Sequence, residues 1–175
     1  MAQVQRTLAE GAAPDTRNRL GKTALLMACE KGNDRMAEAL LSAGASANLA
    51  SLEGVTPLMA AAYGGHAALV SRLLQAGASM EPVDRVHKPA IVYAAGQGHV
   101  GALQALLDAG ADVNAPHEHR LTPLMWAAGQ GHVDAVKLLL ARGARTDLRD
   151  DRGMTAADIA RAEGKADVLA VLPMP

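Results

Sequence analysis

Two glycines return along this chain at one fixed interval. Gly32, Gly65, Gly98, Gly131 and Gly164 are each 33 residues apart. Gly11, Gly44, Gly77, Gly110 and Gly143 keep the same spacing, and alanine follows each of them. A strict period of this length means that one small unit is copied along the chain. Each copy must then bury its apolar face against its neighbours rather than in a single globular core. Thr122 to Gly143, TPLMWAAGQGHVDAVKLLLARG, is the fullest copy. The Thr122 hydroxyl can accept from an orphan helix N–H, and Pro123 is pre-set for a first turn. Leu124, Ala127 and Ala128 fall on one helical face, and Gly131 can take the left-handed conformation that ends the helix. Val133, Val136, Leu139 and Leu140 form a second apolar stripe at helical spacing, which Gly143 stops. The helix-start position of the five copies reads Thr23, Thr56, Pro89, Thr122 and Thr155.

A 33-residue period of two short helices and a turn resembles the ankyrin repeat. The resemblance is carried by Thr56-Pro57-Leu58, Gly65-His66, Gly98-His99, Gly110-Ala111-Asp112-Val113-Asn114 and Gly131-His132, and it covers almost the whole chain. It implies an all-α solenoid of stacked helix-turn-helix units, with β-hairpin fingers projecting between the units at about a right angle. It also implies a concave surface of finger tips and first helices that binds protein. One domain spans residues 1–175, with a half-repeat cap over 1–14 and repeats over about 15–48, 49–81, 82–114, 115–147 and 148–175. Helices are expected near 23–31 and 34–43, near 57–64 and 67–76, and at the equivalent places further on. The cap contributes one more, over 3–10. Met1 aligns with Asp34, inside a second helix, so the start is either a natural cap or the remainder of a longer chain. The first alternative fits a cytoplasmic protein and the second leaves an exported or periplasmic one open. The Ala- and Arg-rich, Lys-poor composition fits a bacterial source.

The chain departs from the family pattern in its fingers. Family fingers end in glycine two positions ahead of the helix-start Thr, as Gly21, Gly54 and Gly153 do, but His87 and Arg120 stand there in repeats three and four. A non-glycine residue must turn differently or accept roughly 1 kcal/mol of strain. Repeat three also lacks its capping Thr, so its finger, Asp84 to Lys88, is expected to be the least regular. The family histidine after T-P-L is replaced by Leu26, Met59, Val92, Met125 and Asp158. Apolar packing must take over its role in the first four repeats.

Several function classes find no support. Glycine-rich phosphate loops, G-x-S-x-G and H-E-x-x-H are missing, so no enzyme activity and no cofactor are expected. A net charge of −1 with no basic stripe argues against nucleic acid, and no window is long and apolar enough to span a membrane. The single Cys29 reads as a small core residue. His66, His99 and His132 recur in register and read as structural, each starting a second helix and bonding to backbone in its turn. His87, His117 and His119 break the period and lie on adjacent fingers, which leaves a soft divalent metal as an alternative. A strand would point His117 and His119 the same way.

The expected function is a monomeric protein–protein interaction module. The alternatives are a metal- or small-ligand-binding accessory and a structural module of a longer polypeptide. The chain has no Phe, one Trp and two Tyr, and all three aromatics fall in first helices. Tyr93 and Trp126 share one repeat position, in the row Met27, Ala60, Tyr93, Trp126, Ile159, and should be neighbours with Tyr63 close by. Either they fill space between helices or they anchor a partner, since Tyr and Trp dominate interface hot spots. In the second case Leu52, Arg85, Val86, His87, His119 and Arg120 supply the rim.

Overall fold

The computed structural model describes residues 13–173, so the cap helix expected over 3–10 lies outside the described residues. Ten helices follow in five pairs: α1 (Ala24–Glu30) and α2 (Asp34–Ser42), α3 (Pro57–Tyr63) and α4 (Ala67–Gln75), α5 (Ala90–Gly96) and α6 (Val100–Asp108), α7 (Pro123–Gln130) and α8 (Val133–Ala141), α9 (Ala156–Ala162) and α10 (Ala166–Leu169). The odd-numbered helices stack in an inner row, and the even-numbered helices pack behind them in an outer row.

Local chemistry explains where each helix starts. Thr23, Thr56, Thr122 and Thr155 are extended N-caps whose hydroxyls accept the N–H three residues on. Pro89 holds the same extended conformation without a side-chain cap bond. Where the family histidine is missing, Leu26, Met59, Val92 and Met125 are all buried. Asp158 does something different: it accepts the Thr155 N–H at 3.0 Å and the Thr155 hydroxyl at 2.8 Å, so a polar cap survives in the last repeat.

Helices of seven to nine residues are too short to persist alone in water, and packing between repeats holds them. Leu40, Leu73, Leu106, Leu139 and Leu172 occupy one repeat position, and all are buried. Ala28, Ala61, Ala94, Ala127 and Ala160 occupy another, on the inner helices, and all are buried too. Truncating one of the central leucines to alanine costs about 2–5 kcal/mol.

The periodic histidines join the repeats in a way not anticipated. His66, His99 and His132 are N-caps of α4, α6 and α8 but make no side-chain cap bond in their own turn. The His99 Nε2 instead reaches the Tyr63 carbonyl at 2.9 Å, and the His132 Nε2 reaches the Gly96 carbonyl at 3.0 Å. Each ring lies on the turn glycine of the repeat before it. A Cβ on Gly65 would sit 2.6 Å from the His99 ring and one on Gly98 2.6 Å from the His132 ring, so space as well as positive φ demands glycine there.

The fingers are turns rather than β-hairpins. No strand forms among the described residues, and the nearest approach to one is an isolated bridge between Arg17 and Thr23. Four fingers share a device at the root. Asn18 Oδ1 accepts from Leu20 and Lys22, Asp84 Oδ1 from Val86 and Lys88, Asp150 Oδ1 from Arg152 and Met154, and Ser51 Oγ from Val55. Such short acceptors close a turn on their own backbone. Repeat three keeps this device, and His87 takes φ 53° in place of the family glycine. The fourth finger is the irregular one, contrary to expectation. Its root is His117, whose side chain accepts nothing from the turn, and the chain passes through two successive left-handed residues, His119 (φ 57°) and Arg120 (φ 58°), in a 3-10 turn over Glu118–Arg120.

Neighbouring fingers are tied by one backbone bond each: Leu52 N–H to the Leu20 carbonyl, Arg85 N–H to Glu53 and Asp151 N–H to His119, all at 3.0 Å. Among the described residues the equivalent bond from Glu118 to Val86 is missing. We expect the Glu118 amide to exchange with solvent clearly faster than those of Leu52, Arg85 and Asp151, as measured by NMR hydrogen exchange; equal rates would show the junction to be closed. His87→Gly should raise stability by roughly 0.5–1 kcal/mol in chemical denaturation, since only glycine holds φ 53° without strain.

Candidate interaction surface

The inner helices and fingers together present one continuous face. Leu20, Leu52 and Val86 stand at the tips of the first three fingers, 60 %, 68 % and 52 % exposed. Met27 on α1 and Tyr63 at the end of α3 continue this strip along the inner helices and are likewise exposed. Beneath them lies a cavity of about 410 Å³ lined by Glu30, Val55, Met59, Ala60, Tyr63 and Tyr93. The strip exists because finger tips carry no packing duty, so apolar residues there meet solvent instead of the core.

Tyr63 and Tyr93 make the aromatic contact of this face, edge to face with centroids 5.6 Å apart and planes at 85°. Trp126 shares the repeat position of Tyr93, and among the described residues the two rings make no aromatic contact with each other. Half-buried, Trp126 lies 3.8 Å from where a Gly96 Cβ would be, and the Lys88 ammonium sits 4.2 Å above its ring. Trp126 is therefore part filler and part surface.

Tyr93 is half-buried against the core, and its hydroxyl donates to the buried Asp84 carboxylate. That joins the inner helix to the root of its own finger. Burial and the hydrogen bond to Asp84 hold the Tyr93 phenol well above the ordinary tyrosine range. Arg85 bonds both Glu53 oxygens at 3.0 Å across neighbouring fingers, and Lys22 pairs with Glu30 at 2.6 Å beside the cavity.

Toward the C-terminal fingers the face turns polar. The His87 Nδ1 and the His119 Nε2 each lie 3.8 Å from one Glu118 oxygen, and the His119 Nδ1 lies 3.8 Å from Asp151. His87, His119 and Arg120 are all exposed. His117 does not join them. No strand aligns it with His119; it is half-buried, and its Nε2 is enclosed without a hydrogen-bond partner. The trio of His87, His117 and His119 that the metal alternative needs is thus not brought together, and among the described residues no group of three side chains is placed to hold a metal ion.

Residue-by-residue reading missed Leu20, Met27, Glu30, Val55 and Met59 as members of this face. Apolar residues at Leu20 and Leu52, one register position apart, were the available signal. The buried Cys29 thiol, pushed up to about 12 by burial and by Asp34 and Glu30, stays protonated and inert. No helix among the described residues is long and apolar enough to cross a membrane.

Comparison with known families agrees with this architecture. The model described as "Ankyrin repeats (3 copies)" matches residues 2–84, 27–117 and 91–173, overlapping matches that run nearly end to end. The chain belongs to the ankyrin repeat family. No curated protein matches it as a relative.

The Tyr93–Asp84 link carries a pH dependence. Its folded pKa is raised above the unfolded value of about 10, so its contribution to stability is fully present below about pH 10 and is lost as pH rises through the folded value. Tyr93→Phe should cost about 1 kcal/mol at neutral pH and flatten the alkaline fall in the denaturation midpoint. An unchanged alkaline slope would show that Tyr93 does not cause it.

Proposed function

We propose that this chain is a non-catalytic protein-binding module whose partner docks on the strip formed by the first three fingers and the inner helices α1, α3, α5 and α7. Ankyrin repeats are generally protein–protein interaction modules, and the continuous strip is the observation that favours this face. Apolar tips at Leu20, Leu52 and Val86, an aromatic pair and an open apolar hollow lie together, while charges stand around them. An interface centre of this kind desolvates well, and the flanking pairs, Arg85 with Glu53 and Lys22 with Glu30, set orientation and partner choice.

Within this reading Tyr63 is the main anchor. More than half of it is exposed, so it contributes little to the fold, yet Tyr93 holds its ring in place. Trp126 and Lys88 form a second contact point, and His87, His119 and Arg120 form the polar rim toward the C-terminal fingers.

Affinity capture with the wild-type chain as bait, followed by titration of the captured protein against variants, tests the assignment. Tyr63→Ala should weaken binding by roughly 2 kcal/mol or more while leaving the melting temperature within a few degrees of wild type. Trp126→Ala should weaken binding less and lower stability more, since most of its side chain is packed. Full affinity in the Tyr63→Ala variant would move the site to another face.

A further inference from the structure

Charges around the docking strip are unevenly matched, and the imbalance selects a class of partner. Three carboxylates stand among the first three fingers and at the rim of the hollow, and each is already engaged. Glu30 pairs with Lys22 at 2.6 Å. Glu53 takes the Arg85 guanidinium on both oxygens at 3.0 Å. Asp84 is buried and accepts the Tyr93 hydroxyl together with the Val86 and Lys88 amides.

The cations are not all matched in this way. Arg17, Arg19 and Lys88 enter no ion pair among the described residues. Arg17 reaches the carbonyls of Gly21 at 3.1 Å and Ala50 at 2.6 Å, which holds its charge across the first two fingers with no anion against it. Arg19 is exposed at the tip position that Leu52 and Arg85 hold in the next two fingers. The Lys88 ammonium rests 4.2 Å above the Trp126 ring. An aromatic face orients a cation without neutralising it, so the ammonium keeps its charge for a further contact. Lys22, Val55 and Lys88 are one repeat position, so the Val55 wall of the hollow has a lysine on the finger at either side. Residues 17–22, 50–55 and 83–88 hold five Lys and Arg against two Asp and Glu, a balance of +3 in a chain whose net charge is −1.

Among the described residues, an incoming cation thus finds no unengaged carboxylate on this strip, whereas an incoming anion finds three unpaired cations. Charge alone is not what the strip offers. Apolar and cationic tips alternate, Arg19 beside Leu20 and Arg85 beside Val86, so a bare polyanion would leave the exposed leucines unburied. The hollow at Met59, Ala60 and Tyr93 lies beneath the tips, where a single side chain reaches and a flat bilayer does not.

We propose that the strip takes an acidic peptide segment. A large apolar side chain of that segment enters the hollow, and Asp or Glu residues on either side of it meet Arg17, Arg19 and Lys88. The assignment rests on the docking face proposed above and adds the class of partner to it.

A library of short random peptides, selected on the immobilised full chain at neutral pH and physiological salt, provides the test. Peptides lost when the Tyr63→Ala variant is the bait are those that use the strip. They should be enriched in Asp and Glu around at least one Leu, Met or aromatic residue. A synthetic copy of the most enriched peptide should bind at least about threefold more tightly at low salt than at physiological salt. Arg19→Gln combined with Lys88→Gln should weaken it at least about tenfold while the melting temperature stays within a few degrees of wild type. Tyr63-dependent peptides that are neutral or basic, or an unchanged affinity in the double variant, would overturn the class of partner and leave the face standing. Acidic peptides that bind Tyr63→Ala as tightly as wild type would overturn the face instead. Absence of any Tyr63-dependent peptide would overturn both, and capture on phosphatidylglycerol vesicles that the double variant abolishes would then give the cations to a membrane.

Discussion

Every helix in this protein depends on the one beside it. An inner helix such as α5 spans Ala90 to Gly96, about two turns, and an isolated segment of that length does not hold its hydrogen bonds in water. Order comes from the leucines of the outer row and the alanines of the inner row, which become buried only when consecutive repeats stack. Stability in such an array is set junction by junction, and so is the position of anything displayed on it. A finger is aimed correctly because its inner helix is pinned by two neighbours. The root acceptor and the single backbone bond to the next finger then complete the alignment.

That dependence explains why the irregular features of the chain cluster. Among the described residues, the backbone bond from finger to finger is missing between repeats three and four, Glu81 accepts no N–H of the next connecting segment as Asn48 and Asn114 do, and the root acceptor has become His117. The helices on either side still pack closely, so the junction holds through its apolar contacts while its connecting segments are free to diverge. The exposed face changes at the same boundary, with apolar tips and tyrosines over the first three fingers and, from His87 onward, imidazoles and carboxylates. A solenoid can place unlike surfaces side by side in this way because no long-range core forces them to agree.

Much of the architecture was legible in the glycine period. It placed the four helices of the first two repeats within about one residue and the rest in register, although the last, Ala166–Leu169, is shorter than its equivalents, and it located the threonine caps, since both rest on local backbone chemistry that a short motif encodes. Cross-repeat relations were harder to read. The bond from His99 to the Tyr63 carbonyl joins residues 36 apart, and nothing in either motif alone announces it. The hairpin character expected of the fingers came from resemblance to the family. Here one bond per junction is too little to make strands. Some of what was missed lay in plain view: Asn18, Ser51, Asp84 and Asp150 are one repeat position, and comparing its polarity would have singled out His117. The exposed face was only half legible, because Tyr93 and Trp126 share a register position yet meet different partners, Tyr63 and Lys88.

The seating of each histidine ring on the glycine of the preceding repeat has a consequence for how such a chain can change its length. Gly65 belongs to one unit and His99 to the next, 34 residues on, yet the ring needs the space that the missing side chain leaves. A unit copied whole brings its own histidine for the glycine before it and its own glycine for the histidine after it. Duplication by any whole number of units therefore renews the fit at both new joints, whichever residue the copied segment begins on. Copying a fraction of a unit would leave a ring facing a side chain or a hollow facing solvent. Growth by entire repeats is in this sense written into the geometry of the joint, and the array keeps a direction, each unit closing over the one synthesised before it.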